Sequence, residues 1–186
     1  MTIKEILQQH RDYYLERFEN ALRASQDGVS EILLLLNNEE PNELFKYYRL
    51  DYLKKDENGE NRIVEFNTDG YLDHEPLEFE VGNSRIEINP FVWNNCEIFI
   101  DNDLNDWNEF HEWIKKWIAI DDEYAQDENG FSGLIHNVTR PIEENSRITT
   151  AIDLGTAPVE ALTELLEVFL NDGAVNEIKI ASSIGV

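Results

Sequence analysis

Across 186 residues, thirty-nine Asp and Glu stand against fifteen Lys and Arg, a formal net charge of −24. A folded body of this length has a radius of gyration of roughly 16 Å, so a negative potential covers its whole surface and repels nucleic acid and anionic membrane. Hydrophobic residues at 41% and aromatics at 11% exclude an acidic disordered tail, and the lone Cys96 excludes a disulfide framework or a Cys-based zinc site.

The length suits one domain. Residues 1–5 carry acid and lead into an amphipathic pattern instead of a signal segment, and the longest apolar run, residues 32–36, is too short to span a bilayer. A soluble, cytoplasmic protein is expected.

In chain order, Ile3, Ile6, Leu7, His10, Tyr14, Phe18, Ala21 and Leu22 recur at three-to-four spacing and predict a helix over 3–24. Residues 29–36 fit either a buried strand or a short helix, and Pro41 closes the stretch. From Leu44 the period becomes two. Residues 45–53 and 63–66 flank an Asn58-Gly59 turn; Leu77, Phe79 and Val81 then alternate, Gly82-Asn83 turns, and Ile86 and Ile88 alternate again. Cys96, Ile98 and Ile100 complete a β-meander over 44–100. Leu104, Trp107, Phe110, Ile114, Trp117 and Ile118 predict a second helix over 104–120, its start capped by the acids of 101–106. Residues 121–146 show no period and read as a surface excursion.

A strand–helix–strand unit closes the chain over 147–182. Pro158 marks the start of its helix, Glu160 lies in the first turn and Gly173 follows the end. A right-handed crossover is expected to place its two strands parallel in one sheet. The fold class is α+β: a mixed, mostly antiparallel sheet with about three helices packed on it and a C-terminal βαβ-like unit.

Chemistry is thinly signalled, and no motif specifies a reaction or a cofactor. Asp101, Asp103, Asn105, Glu109 and Glu112 fall at oxygen-ligand positions of an EF-hand calcium loop. Asp106 stands where the sharp turn needs Gly, however, and Asn108 where an apolar residue belongs, so helix capping explains these acids better. Asp69, Asp73, His74 and Glu75 form a carboxylate–imidazole group between two hairpins, which reads first as solvated loop charge. His10 lies on the apolar face of the first helix as a half-buried packing residue. The turn 154–158 has the strand-to-helix form of an anion site, but one glycine, no following Lys and nearby Glu160 and Glu164 argue for ordinary turn chemistry.

Charge placement says more. After Lys116, thirteen carboxylates face three basic side chains. Asp121, Asp122, Glu123, Tyr124, Asp127 and Glu128 put an aromatic anchor inside a ring of acids, a face suited to a basic protein partner. The expected function is a non-enzymatic acidic interaction protein, with immunity- or antitoxin-type inhibitors of nuclease-like toxins as the class analogy. The competing reading is a metal-dependent enzyme or small-ligand or calcium-binding domain using the acids of 101–112 or 69–75. It requires a geometry that the sequence does not supply.

Overall fold

The computed structural model describes residues 1–25, 28–36, 44–66, 70–120, 126–144 and 147–182, and the fold class over them is α+β. Three α-helices occur among these residues: α1 (Ile3–Ala24), α2 (Asn108–Ile118) and α3 (Val159–Asp172). Ten strands follow in chain order: β1 (Gly28–Leu35), β2 (Tyr47–Lys55), β3 (Asn61–Val64), β4 (Leu77–Val81), β5 (Ser84–Ile88), β6 (Cys96–Ile100), β7 (Asn137–Val138), β8 (Ile142–Glu144), β9 (Arg147–Asp153) and β10 (Glu177–Ala181). The ambiguous 29–36 stretch is thus strand β1.

The strands divide into two sheets. One has the order β1-β2-β3; the other runs β4-β5-β10-β6-β9-β7, with β8 also paired to β9. The meander expected over 44–100 is therefore split between them. Its β5 and β6 are not neighbours either: β10 lies between them, parallel to β5 and antiparallel to β6. Residues 89–95, including Pro90, carry the chain across the roughly 10 Å that two strand spacings require. β6 is antiparallel to β9 as well, so β9 and β10 are parallel but separated by β6. The two strands of the C-terminal unit are thus parallel in one sheet as expected, and the alternating Ile178 and Ile180 give β10 a fully buried face that suits its central position.

All three helices cover one face of the larger sheet. Ile86, Ile88, Ile98, Ile100, Ile152, Ile178 and Ile180 point inward, each at most 2% exposed. They meet Ile6, Leu7 and Phe18 of α1, Phe110 and Ile114 of α2, and Leu162, Leu165 and Phe169 of α3 in one core. The opposite face carries the half-buried Arg85, Glu87, Phe99 and Lys179. No helix among the described residues is long and apolar enough to cross a membrane.

Residues 126–144 correct the surface excursion expected over 121–146. Ile135, His136 and Val138 are completely buried, and β7 and β8 pair with β9. An apolar or ionic residue every few positions suffices to bury this stretch against two sheets, without the regular period that sequence inspection detects.

Candidate functional site

The densest polar constellation lies where the two sheets meet. Glu31 of β1, Arg49 and Asp51 of β2, His136 ahead of β7 and Thr156 in the β9–α3 turn are all at most 4% exposed. β1 and β2 pair in register on either side of Glu31, which itself adopts φ 53° and drops out of the ladder. This break in the ladder accompanies the turn of the Glu31 carboxylate toward the second sheet. His136 Nε2 lies 2.7 Å from Glu31 Oε1, while its Nδ1 lies 3.2 Å from Asp51 Oδ1 and 3.8 Å from Asp153 Oδ2. Thr156 donates its hydroxyl to Glu31 Oε1 at 2.6 Å, and Ser132 N–H donates to Glu31 Oε2. Phe66 N–H donates to Asp51 Oδ2 at 2.7 Å. Arg49 crosses the junction, donating to the Glu31 and Ile118 carbonyls at 2.8 and 2.6 Å.

The backbone is shaped to this cluster. Gly155 has φ 47°, and a Cβ placed on it would lie 2.2 Å from His136 Cδ2, so only glycine lets the turn close on the ring. Arg49 N–H also donates to the His136 carbonyl at 2.7 Å, tying β2 to the segment that carries the imidazole.

Burial alone would lower the His136 pKa; Asp153, then Asp51 and Glu31, overcome it and hold it at about 10. Burial raises Asp153 to about 7, with the His136 charge pulling it down and Asp51 pushing it up. Glu65 is raised too, by burial and then by Asp51. His136 is therefore an imidazolium at neutral pH, with a carboxylate facing each nitrogen. The cluster forms an internal ionic tie between the two sheets.

Sequence inspection missed this constellation. Its signals were present: a glutamate ahead of the apolar run 32–36, and Arg49 and Asp51 alternating through a strand otherwise rich in Leu and Tyr. Only the fold shows that they converge on His136.

The candidate calcium ligands of 101–112 do not converge. Asp101 accepts the Asn176 and Glu177 amides at 2.9 and 3.0 Å, and Asp103 accepts the Trp107 indole N–H at 2.9 Å. The Asn105 side chain donates to the Asp172 carbonyl at 3.0 Å, Glu112 pairs with Lys115 at 2.6 Å, and Glu109 is exposed. Among the described residues, no group of three or more His, Cys, Asp or Glu is arranged to hold a metal ion. The expected acid cap of α2 is not formed: its N-cap residue is Trp107, with no side-chain capping bond, and Asp106 accepts the Asn108 amide at 2.9 Å in the turn just ahead of it.

Of the 69–75 group, Asp69 lies outside the described residues, Asp73 and Glu75 are exposed, and His74 meets His10. His10 is more deeply buried than the half-buried packing residue expected: it is 2% exposed and stacked on Phe91 at 4.0 Å. The 154–158 turn receives Arg11, which donates to the Ala157 and Thr156 carbonyls at 2.7 and 3.2 Å.

Of the expected partner-binding face, Asp121, Asp122, Glu123 and Tyr124 lie outside the described residues. Asp127 Oδ1 accepts the Asn129 and Phe131 amides at 2.8 and 2.9 Å and shapes a turn that rests on β1 through Ser30 and Gly130, while Glu128 is exposed. Elsewhere, an open groove of about 320 Å³ runs between Phe45, Trp107 and His111, with Asp103 and Glu143 on its walls. The Arg140 guanidinium sits 5.5 Å from the centre of the Phe45 ring in that groove.

No protein-family model, curated protein or solved structure matches the chain.

Proposed function

We propose that this protein is a non-enzymatic interaction protein that binds a basic macromolecular partner through its acidic surface, in the manner of immunity or antitoxin inhibitors of nuclease-like toxins. One observation carries the reading. Among the described carboxylates only Glu31 and Asp51 are buried, and His136 and Arg49 offset them inside the protein. The other described carboxylates therefore reach solvent at least in part, where a partner meets them.

Such a surface steers a basic protein into encounter and occupies the positive patch that would otherwise hold substrate phosphates. Asp127 and Glu128, both exposed, form one part of that surface, and the reading extends it to the acids of 121–123 by sequence alone. The groove lined by Phe45, Trp107 and His111 is another, since aromatic faces beside Asp103 and Glu143 suit an inserted Arg or Lys. The competing metal-enzyme reading finds its donors committed elsewhere: Asp101 and Asp103 to N–H groups and Glu112 to Lys115. A cytoplasmic location accompanies this reading, because the lone Cys96 is buried and unpaired as a thiol.

The test is binding kinetics on a partner captured from the source cells. Association is expected to slow steeply with salt while dissociation changes little. Replacing Asp121, Asp122, Asp127 and Glu128 together by their amides should lower the on-rate severalfold. A neutral or acidic partner, or binding indifferent to salt and to these replacements, overturns the reading.

A further inference from the structure

His10 of α1 and His74, in the connection that leads to β4, meet with their Nε2 atoms 2.9 Å apart. The outer nitrogens are each held by a carbonyl oxygen: His10 Nδ1 lies 3.0 Å from Phe91 O, and His74 Nδ1 lies 2.7 Å from Glu75 O. A carbonyl oxygen only accepts, so each Nδ1 must carry a hydrogen. The contact between the two Nε2 atoms needs a third. Two neutral imidazoles own two ring N–H hydrogens between them, one too few for the three bonds. A shared zinc ion does not fill the gap, because nitrogens about 2.0–2.1 Å from a tetrahedral ion stand roughly 3.3 Å apart. The observed 2.9 Å spacing is that of a hydrogen bond.

We infer that His10 and His74 share one added proton, and that this proton latches residues 70–76 across α1. The charge resides on His74, which donates from both nitrogens, while His10 stays neutral and accepts. His10 is suited to that role: burial, then the neighbouring His74, lower its pKa to about 4.

The surroundings are defined on every side. Beside His10, Tyr13, Tyr14 and Arg17 approach from α1, Tyr71 from the latched segment, and Phe91, Val92 and Trp93 from the β5–β6 connection. Arg17 lies over the Tyr13 ring at 3.5 Å and opposes a second added charge. Arg11 is directed away, onto the Thr156 and Ala157 carbonyls. A Cβ placed on Gly70 would lie 2.8 Å from the Tyr13 hydroxyl, so the segment also passes close to α1 at Gly70. Loss of the proton deletes one of the three bonds and loosens the lead-in to β4, an edge of the larger sheet.

Long-range proton–nitrogen NMR of the histidine rings tests this on the full chain. At about pH 5.5, His74 should show two protonated nitrogens and His10 one protonated Nδ1 and one bare Nε2. As pH rises and the shared proton is lost, amide exchange over 71–75, corrected for its intrinsic pH dependence, should become roughly tenfold faster. His74→Gln donates to His10 without titrating, so it should keep slow exchange and abolish the pH step. A neutral His74 in the latched state, a protonated His10 Nε2, or a pH step that survives in His74→Gln overturns the inference.

Discussion

His136 is the residue on which the two sheets depend. With Glu31 at 2.7 Å and Asp51 at 3.2 Å, its charge offsets carboxylates that have no access to solvent. Removing it leaves Arg49 as the one buried cation described beside two buried carboxylates, and His136→Gln is expected to cost about 3–5 kcal/mol, read from urea unfolding midpoints. The pH profile gives a second readout. His136 titrates near 6.5 when unfolded and at about 10 when folded, so its stabilisation is complete below 6.5 and is lost as pH rises toward 10. Asp153, raised from 3.8 to about 7, also makes the fold lose stability with rising pH, but between those two values. His10, lowered from 6.5 to about 4, works against Asp153 in nearly the same window, because there the unfolded chain binds the proton and the folded chain does not. Stability should therefore be nearly level from about pH 4 to 6.5 and decline on the alkaline side, at up to roughly 1.4 kcal/mol per pH unit. In His136→Gln the decline between about pH 7 and 10 should vanish; its persistence would mean that another group governs the alkaline limb.

At the scale of elements, helix ends separate local from tertiary control. α1 begins with a capping box written in adjacent sequence: Glu5 N–H donates to Thr2 Oγ1 at 3.2 Å, and Thr2 N–H to Glu5 Oε2 at 2.6 Å. Thr2→Ala should lower stability by about 1 kcal/mol in thermal or urea unfolding, with the native spectrum kept. A change below the error of the measurement would show that the α1 terminus frays without consequence. α2 behaves differently. Its apolar pattern starts at Leu104, yet the helix starts at Asn108. The Asn105 and Asp106 amides donate to Asp172 at the far end of α3, which holds them out of the helix. β10 shows the same dependence: its alternation marks a strand, and its place between β5 and β6 follows from two open strand edges that it alone can join.

For the whole molecule the governing quantity is the charge of −24. Carboxylates crowded on one surface repel one another most when the Debye length is long. The melting temperature should rise by several degrees between low ionic strength and physiological salt at pH 7, measured by calorimetry. A melting temperature indifferent to salt would show that the acids are too dispersed to interact. Local pairing already relieves some of the repulsion. Lys4 meets Glu160 at 2.7 Å, Lys116 meets Glu164 at 2.6 Å, and Lys179 meets Glu87 at 3.0 Å. With fifteen Lys and Arg in the chain, most carboxylates are left to solvent or to a partner.

Amino-acid order alone determined α1, α3 with its Gly173 end, the alternating strands and the acidity, because period, capping and net charge are local or additive properties. Sheet membership was not local. Whether β4 follows β3 into the same sheet, or β10 separates β5 from β6, is decided by which apolar faces are left to cover once the helices have docked. The ionic centre lay further out of reach. Glu31, Asp51 and His136 are scattered through segments that look unremarkable one at a time, and a buried charge is tolerated only beside its partners. The His10–His74 contact spans sixty-four positions for the same reason: its spacing is set by the packing of a connecting segment on a helix, which no sequence period encodes.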